Sequence, residues 1–297
     1  MFEAIFLGAL QGLTEFLPIS SSAHIRIAGE LFGTNSDPGA TFTAITQIGT
    51  ELAVLIYFRR DIVRILSAWF SQISRKELQA AEKTDARLGW LIILGTLPIV
   101  ALGYFGQEII RNDFRSLWLI ATTLIVFGII LGIADKYGKT ERQLHQLTPM
   151  HGVLYGFAQS LALIPGVSRS GATIAMGRFM GYSREAALRY SFLLALPAVF
   201  GSGFYELKGA LGEGSADQVF SLSETFMATA IAFVIGYAVI AWLLKYVTTK
   251  SFAPFIIYRV VLGFVLLALL ATGVISYAVI AWLLKYVTTK SFAPFII

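Results

Sequence analysis

"GALQGLTEFLPISSSAHIRIAGELFG", residues 8–33, can be laid over "GFAQSLALIPGVSRSGATIAMGRFMG", residues 156–181, without a gap. Seven of the 26 positions agree: Gly8, Gln11, Leu13, Ser20, Ser22, Gly29 and Gly33 fall on Gly156, Gln159, Leu161, Ser168, Ser170, Gly177 and Gly181. Chance would supply roughly two or three in so biased a composition. Both copies break an apolar run with proline and serine, groups that are expensive to leave unpaired in hydrocarbon.

The surrounding chain is 297 residues long, 56% hydrophobic and only 14% charged, where a soluble domain carries about a quarter charged residues. A polytopic membrane protein follows. Six segments, near 39–58, 88–108, 116–134, 186–206, 224–245 and 255–276, approach the roughly 20 residues that a bilayer core demands. The interrupted regions 2–33 and 150–182 each split into halves too short to span. Each is followed by three spans, an odd number, so the second copy must be inverted relative to the first. The expected fold is an all-α integral membrane protein with six transmembrane helices and two re-entrant helix–loop–helix segments in an inverted-topology repeat. The first repeat covers 1–134 and the second 150–276.

Arginine and lysine set the orientation. The 59–87 connection holds Arg59, Arg60, Arg64, Arg75, Lys76, Lys83 and Arg87; the 135–149 connection holds Lys136, Lys139 and Arg142; Lys245 and Lys250 follow the fifth span. These should be cytoplasmic. The 207–223 connection sets Lys208 against Glu213 and Asp217 and should face outward, and alternation puts 109–115, with Arg111 and Arg115, outside too. The first re-entrant segment then enters from outside and the second from the cytoplasm. No basic region precedes the first apolar stretch, so no cleavable secretory signal is expected. The absence of cysteine excludes disulfides and thiolate chemistry. No basic run interleaved with aromatics points to nucleic acid.

Pro18 and the pair Pro165-Gly166 end the first half-helices. Ser20 and Ser168 then stand as N-caps of the second halves. Two half-helix N-termini aimed at one point, with Arg169 between Ser168 and Ser170, suit an anion and phosphate above all. A serine hydroxyl there is also a candidate nucleophile. Gln11 and Glu15 share a helical face directed at the break. A carboxylate beside bound phosphate implies an intervening cation or a proton-transfer role. His24, one turn beyond Ser20, is placed to relay a proton. Each feature has a plainer alternative: serines bond back to carbonyls, histidine bridges helices, proline kinks, and Glu15 with Arg169 forms a pin between the loops. Their coincidence at two pseudo-symmetric breaks favours a site. Glu51, four residues after Gln47, is a further intramembrane acid to which the sequence assigns no role.

At these residues the chain resembles the bacterial undecaprenyl-diphosphate phosphatase family, also called bacitracin-resistance proteins. The family's (E/Q)xxxE motif running into a serine-rich break appears as "QGLTEFLPISSSAH" (11–24), and its PGxSRSxxT motif as "PGVSRSGAT" (165–173), within a similarity covering about residues 1–276. The resemblance implies hydrolysis of undecaprenyl diphosphate to the monophosphate at the outer side of the plasma membrane, recycling the carrier for cell-wall synthesis. It also implies a divalent cation, magnesium or calcium. By position it implies Ser21 as nucleophile, Glu15 as the acid binding the metal or activating that serine, His24 as general acid/base, and Arg169 as stabiliser of the transferred phosphate. Ser20, Ser22, Ser168, Ser170, Thr173 and Gly166 would contact the substrate phosphates. Position 11 is glutamine, which leaves Glu15 and Gln11 as expected cation ligands with one carboxylate rather than two.

The bare residues predict anion binding; only the resemblance selects hydrolysis over an alternating-access carrier for a lipid phosphate or other anion. A non-catalytic scaffold leaves the polar breaks unexplained. Expected partners are the polyprenyl diphosphate lipid and membrane lipids, no nucleic acid, with a homo-oligomer left open. One segment stands apart: "YAVIAWLLKYVTTKSFAPFII" occurs identically at 237–257 and 277–297. The second copy is expected to lie outside the functional core.

Overall fold

The computed structural model describes residues 1–32, 39–106, 116–212 and 219–273. Eleven α-helices occur among them: α1 (Phe2–Thr14), α2 (Ser21–Phe32), α3 (Gly39–Tyr57), α4 (Arg59–Ile73), α5 (Ala80–Phe105), α6 (Leu117–Tyr137), α7 (Pro149–Ser160), α8 (Arg169–Phe179), α9 (Arg184–Gly212), α10 (Leu222–Val247) and α11 (Ala253–Ala271). Helices α5, α6, α9, α10 and α11 are each long and apolar enough to cross a membrane, and α3 qualifies when taken with α4, from which it is bent by 79°. The molecule is a multi-pass membrane protein, all-helical among the described residues. The 109–115 connection, part of the 207–223 connection, the ends of the expected spans 88–108 and 255–276 and the duplicated tail 277–297 lie outside the described residues.

The expected loop at 59–87 is largely helical. α4 fills Arg59–Ile73 and α5 begins at Ala80 rather than near 88. The density of arginines disguised an amphipathic helix: Ile65 and Ala68 are buried, while Val63, Leu66, Phe70 and Ile73 are exposed. The early start of α5 is held by a capping box in which the Gln79 N–H donates to Glu82 Oε2 at 2.8 Å.

The N-terminal ammonium of α1 pairs with Glu224 at the head of α10, so α1 starts at the same end as the 207–223 connection. At the other end Arg87, near the start of α5, donates to the His145 carbonyl at 2.6 Å, just ahead of α7. α1 and α7 therefore enter from opposite ends. Each is laid tightly on a long span by a glycine: a Cβ on Gly8 would fall 2.5 Å from the Ala228 carbonyl oxygen of α10, and one on Gly156 2.6 Å from that of Gly95 on α5. No larger residue permits this approach, which accounts for a glycine at both repeat-equivalent positions. Between the long helices, Phe16 packs edge-on against Phe192 of α9 with ring centroids 5.1 Å apart, fixing the first break to the core.

Candidate active site

The first half-helix α1 stops at Glu15, whose N–H still donates to Gln11 O at 3.0 Å. Pro18 supplies no N–H and cannot continue the ladder. Ser20 then turns the chain at φ 74° before α2 begins. In the second copy Gly166 (φ 90°) and Ser168 (φ 72°) do the same before α8. A non-glycine residue in this region is uncommon and costs of order 1–3 kcal/mol, and such strain clusters at functional sites. Finding it at two serines 148 positions apart shows that the breaks share a backbone design.

The caps match as well. Ser20 Oγ accepts from Ala23 N at 3.4 Å and pairs with Ser22 Oγ at 3.1 Å; Ser168 Oγ accepts from Gly171 N at 3.1 Å and pairs with Ser170 Oγ at 3.2 Å. The carbonyls of Ser20 and Ser168 take the next N–H groups, those of His24 and Ala172. Each cap thus engages the third and fourth residues after the turn and leaves the first two N–H groups of the half-helix, those of Ser21 and Ser22 or of Arg169 and Ser170, to be aimed at a ligand. Ser170 Oγ also donates across to the Leu17 carbonyl at 3.1 Å, tying one break to the other.

Position 21 and position 169 are repeat equivalents, and the structure brings them together through Glu15. Ser21 Oγ donates to Glu15 Oε2 at 2.5 Å, and Gln11 Nε2 donates to the same oxygen at 2.7 Å. Arg169 Nη2 donates to Glu15 Oε1 at 2.8 Å and to Glu51 Oε1 at 2.6 Å. The second copy has no matching acid, since Leu163 stands where the first has Glu15; its Gln159 is buried with neither amide atom partnered. One break therefore carries the hydroxyl and the acid, the other the cation. Arg169 Nη1 has no protein partner, so a buried donor remains for an anion.

The other expected site residues are placed less directly. His24 Nδ1 lies 2.7 Å from the Ser20 carbonyl, which can only accept, so the proton sits on Nδ1. Its Nε2 faces Tyr258 Oη at 2.7 Å, and the two rings stack. Neither ring nitrogen of His24 is bonded to Ser21 or Glu15. Thr173 is wholly buried, donating to the Arg169 and Ser170 carbonyls and paired with Ser191 Oγ at 2.5 Å. The Gly166 carbonyl is directed at Arg259.

Arg259 and Tyr258 of α11 were not singled out by sequence reasoning. Arg259 is fully buried. Its Nη1 donates to Pro18 O at 3.1 Å, Nη2 to Gly166 O at 2.8 Å and Val167 O at 3.0 Å, and Nε to Leu124 O at 3.1 Å. One side chain thus fastens both breaks to α6. The available signal was a lone arginine inside an otherwise apolar span, where an ionisable group marks a functional position by default. Thr123 Oγ1, donating to Pro165 O at 2.8 Å, adds a second tie to the same helix.

Residues 4–265 match the family described as bacitracin resistance protein BacA. Undecaprenyl-diphosphatase 2 of Agrobacterium fabrum is 61% identical over 271 residues, covering 91% of this chain and 96% of that protein. The undecaprenyl-diphosphatases of Pseudarthrobacter chlorophenolicus and Micrococcus luteus are each 58% identical, over 272 and 271 residues, with 98% and 97% of those proteins covered.

Proposed function

The chain belongs to the bacitracin resistance protein BacA family, and on that premise we propose that it is an undecaprenyl-diphosphate phosphatase, releasing inorganic phosphate and leaving undecaprenyl phosphate. The observation that carries hydrolysis rather than transport is the 2.5 Å bond from Ser21 Oγ to Glu15 Oε2, a nucleophile already joined to its base. A carrier needs an anion cradle but no such pair.

In the reaction Glu15 takes the Ser21 hydroxyl proton as Oγ attacks the terminal phosphorus. The bond from that phosphorus to the bridging oxygen breaks, and undecaprenyl phosphate departs with the electron pair. Arg169, through Nη1, and the N–H groups at the starts of α2 and α8 stabilise the charge on the equatorial oxygens. Water then attacks the phosphoserine, its proton passing to His24 Nε2, which exchanges its contact with Tyr258 for this role, while Glu15 returns its proton to the departing Ser21 Oγ and inorganic phosphate is released.

The cation expected at Glu15 and Gln11 fits these residues in one respect: Gln11 donates its amide nitrogen to Glu15, so its Oε1 is a buried acceptor with no protein partner, the hard oxygen that magnesium or calcium takes. When bound it would shield the diphosphate from the carboxylate. We place the reaction at the outer side of the plasma membrane, as a recycling step for cell-wall synthesis. The support is that α1 and α2 enter and return from the end opposite the basic connections. The prenyl tail would remain in lipid between the spans.

The test is phosphate release from a long-chain polyprenyl diphosphate by detergent-purified protein, where no gradient exists. Release that disappears in Ser21→Ala and Arg169→Ala is the expected result. No release from folded, monodisperse protein would overturn the reading and leave an anion carrier.

A further inference from the structure

Glu51 belongs to neither break. It sits on α3, where Ile45, Ile48, Ala53 and Val54 are buried together with Thr46 and Thr50, and its side chain has no exposed surface. A carboxylate at such a position is retained only when its charge is answered. Arg169 answers it in part, but the same Nη2 atom also serves Glu15. Two carboxylates share that one guanidinium nitrogen, in the pocket that must accept a diphosphate, so Arg169 alone does not answer both. Since one nitrogen bridges them, the two bonded oxygens lie within roughly 5 Å of each other.

The unpartnered atoms point the same way. Gln11 Oε1 and Glu51 Oε2 are both buried and both lack a protein partner. The orientation of the Gln11 amide is not arbitrary, because its bond to Glu15 Oε2 requires the NH₂ on that side. Both orphans are therefore acceptors. The cluster's orphaned donor, Arg169 Nη1, is left to the phosphate; the two orphaned acceptors, beside two carboxylates that share one guanidinium, are the hard oxygens that a cation takes. Glu15 contributes the third group, already holding Ser21 and Gln11 on one oxygen and Arg169 on the other.

We propose that Glu51 is the second acid of the active site, supplying from α3 the carboxylate that Gln11 does not provide, so that a divalent cation is held by Glu51, Glu15 and Gln11 Oε1 next to Ser21. This rests on the phosphatase reading for the purpose of the cation but not for its existence. Glu51 touches Arg169 as well, so its loss must be separated from simple misplacement of that arginine. Moving the acid achieves this: glutamate at position 11 returns the charge to the cluster from α1, without restoring the bond that Glu51 makes to Arg169.

The experiment uses full-length protein in detergent and Mn²⁺ as probe, with binding read by electron paramagnetic resonance and phosphate release measured in parallel. Glu51→Gln should weaken Mn²⁺ binding by at least roughly 10- to 100-fold, the loss already seen when only an outer-shell partner is removed. The double variant Gln11→Glu, Glu51→Gln should recover most of that loss. Glu51→Asp keeps the charge one methylene back and should fall between; it also serves where Glu51→Gln does not give monodisperse protein. Unchanged Mn²⁺ affinity in folded Glu51→Gln or Glu51→Asp, or no recovery in the double variant, overturns the proposal and reduces Glu51 to a clamp on Arg169. Wild-type protein that binds Mn²⁺ with this pattern but releases no phosphate would instead sink the phosphatase reading and leave the cation site standing.

Discussion

Replacing Arg259 by methionine tests whether the two breaks are held as a unit. The guanidinium is the donor for Pro18 O, Gly166 O and Val167 O, three carbonyls outside helical segments, and for Leu124 O on α6. Methionine fills much of the volume and buries no charge, so the loss is that of the donors. With the three break carbonyls unanswered at about 1 kcal/mol each, between the averages for membrane and soluble proteins, the cost is about 3 kcal/mol. In a protein of this size that lowers the unfolding midpoint by roughly 6–12 °C. Activity should fall further than stability, because Pro18 and Val167 precede the strained serines that aim both half-helix N-termini. At a temperature where the variant is folded, kcat should drop by about 100-fold, the scale of a small misplacement of reacting groups. Thermal unfolding in detergent and phosphate release on the same sample are the assays. Arg259→Lys should recover only part of both, since one ammonium cannot span Pro18 and Gly166 while reaching α6. A midpoint within about 2 °C of wild type with normal turnover in Arg259→Met would refute the idea that this residue fastens the breaks.

Other expectations follow from the same geometry. Ser21→Ala and Glu15→Gln should each lower kcat by about a thousandfold or more with folding intact, measured as phosphate release; near-normal turnover in Ser21→Ala would mean that water attacks directly. Arg169→Lys keeps a charge but cannot hold Glu15 and Glu51 and still offer a donor to phosphate, so kcat should fall by about 100-fold with a smaller change in unfolding midpoint. At Ser168, glycine relieves the positive φ while losing the cap, whereas alanine loses the cap and keeps the strain. Ser168→Ala should therefore be less stable than Ser168→Gly by about 1 kcal/mol in chemical unfolding, and the opposite order would show that the turn is not strained.

The breaks were legible because their cause is local. Proline and a capping serine act on the residues beside them, so Pro18, Ser20, Pro165 and Ser168 announce the ends of half-helices without any knowledge of the fold. The pairing of Ser21 with Glu15 is nearly as local, spanning six residues. What escaped depends on distant packing. Glu51 meets Arg169 across 118 positions, and Arg259 reaches Pro18 across 241; no spacing rule connects such residues. α4 escaped for a different reason. Its period was present, but Arg59, Arg60 and Arg64 outweighed it when charge density was used to mark a loop.

The two breaks share a backbone but not a chemistry, and on the proposed reading that difference is what makes an active site of a repeat. The slot after the turning serine holds Ser21 in one copy and Arg169 in the other. Both slots occupy the first position of a returning half-helix, where free N–H groups and the helix dipole favour an anion. Had both kept serine, the pocket would have two hydroxyls and no fixed cation. Had both become arginine, it would bind phosphate tightly with nothing to attack it. On the proposed reading, turning one slot to face the other lets a single phosphoryl group meet a nucleophile from α2 and a guanidinium from α8. The acids divide unequally as well: Glu15 comes from the first break, its counterpart is Leu163, and the other carboxylate bonded to Arg169, Glu51, comes from α3. Symmetry fixes where the backbone points, and the departures from symmetry decide what it can do.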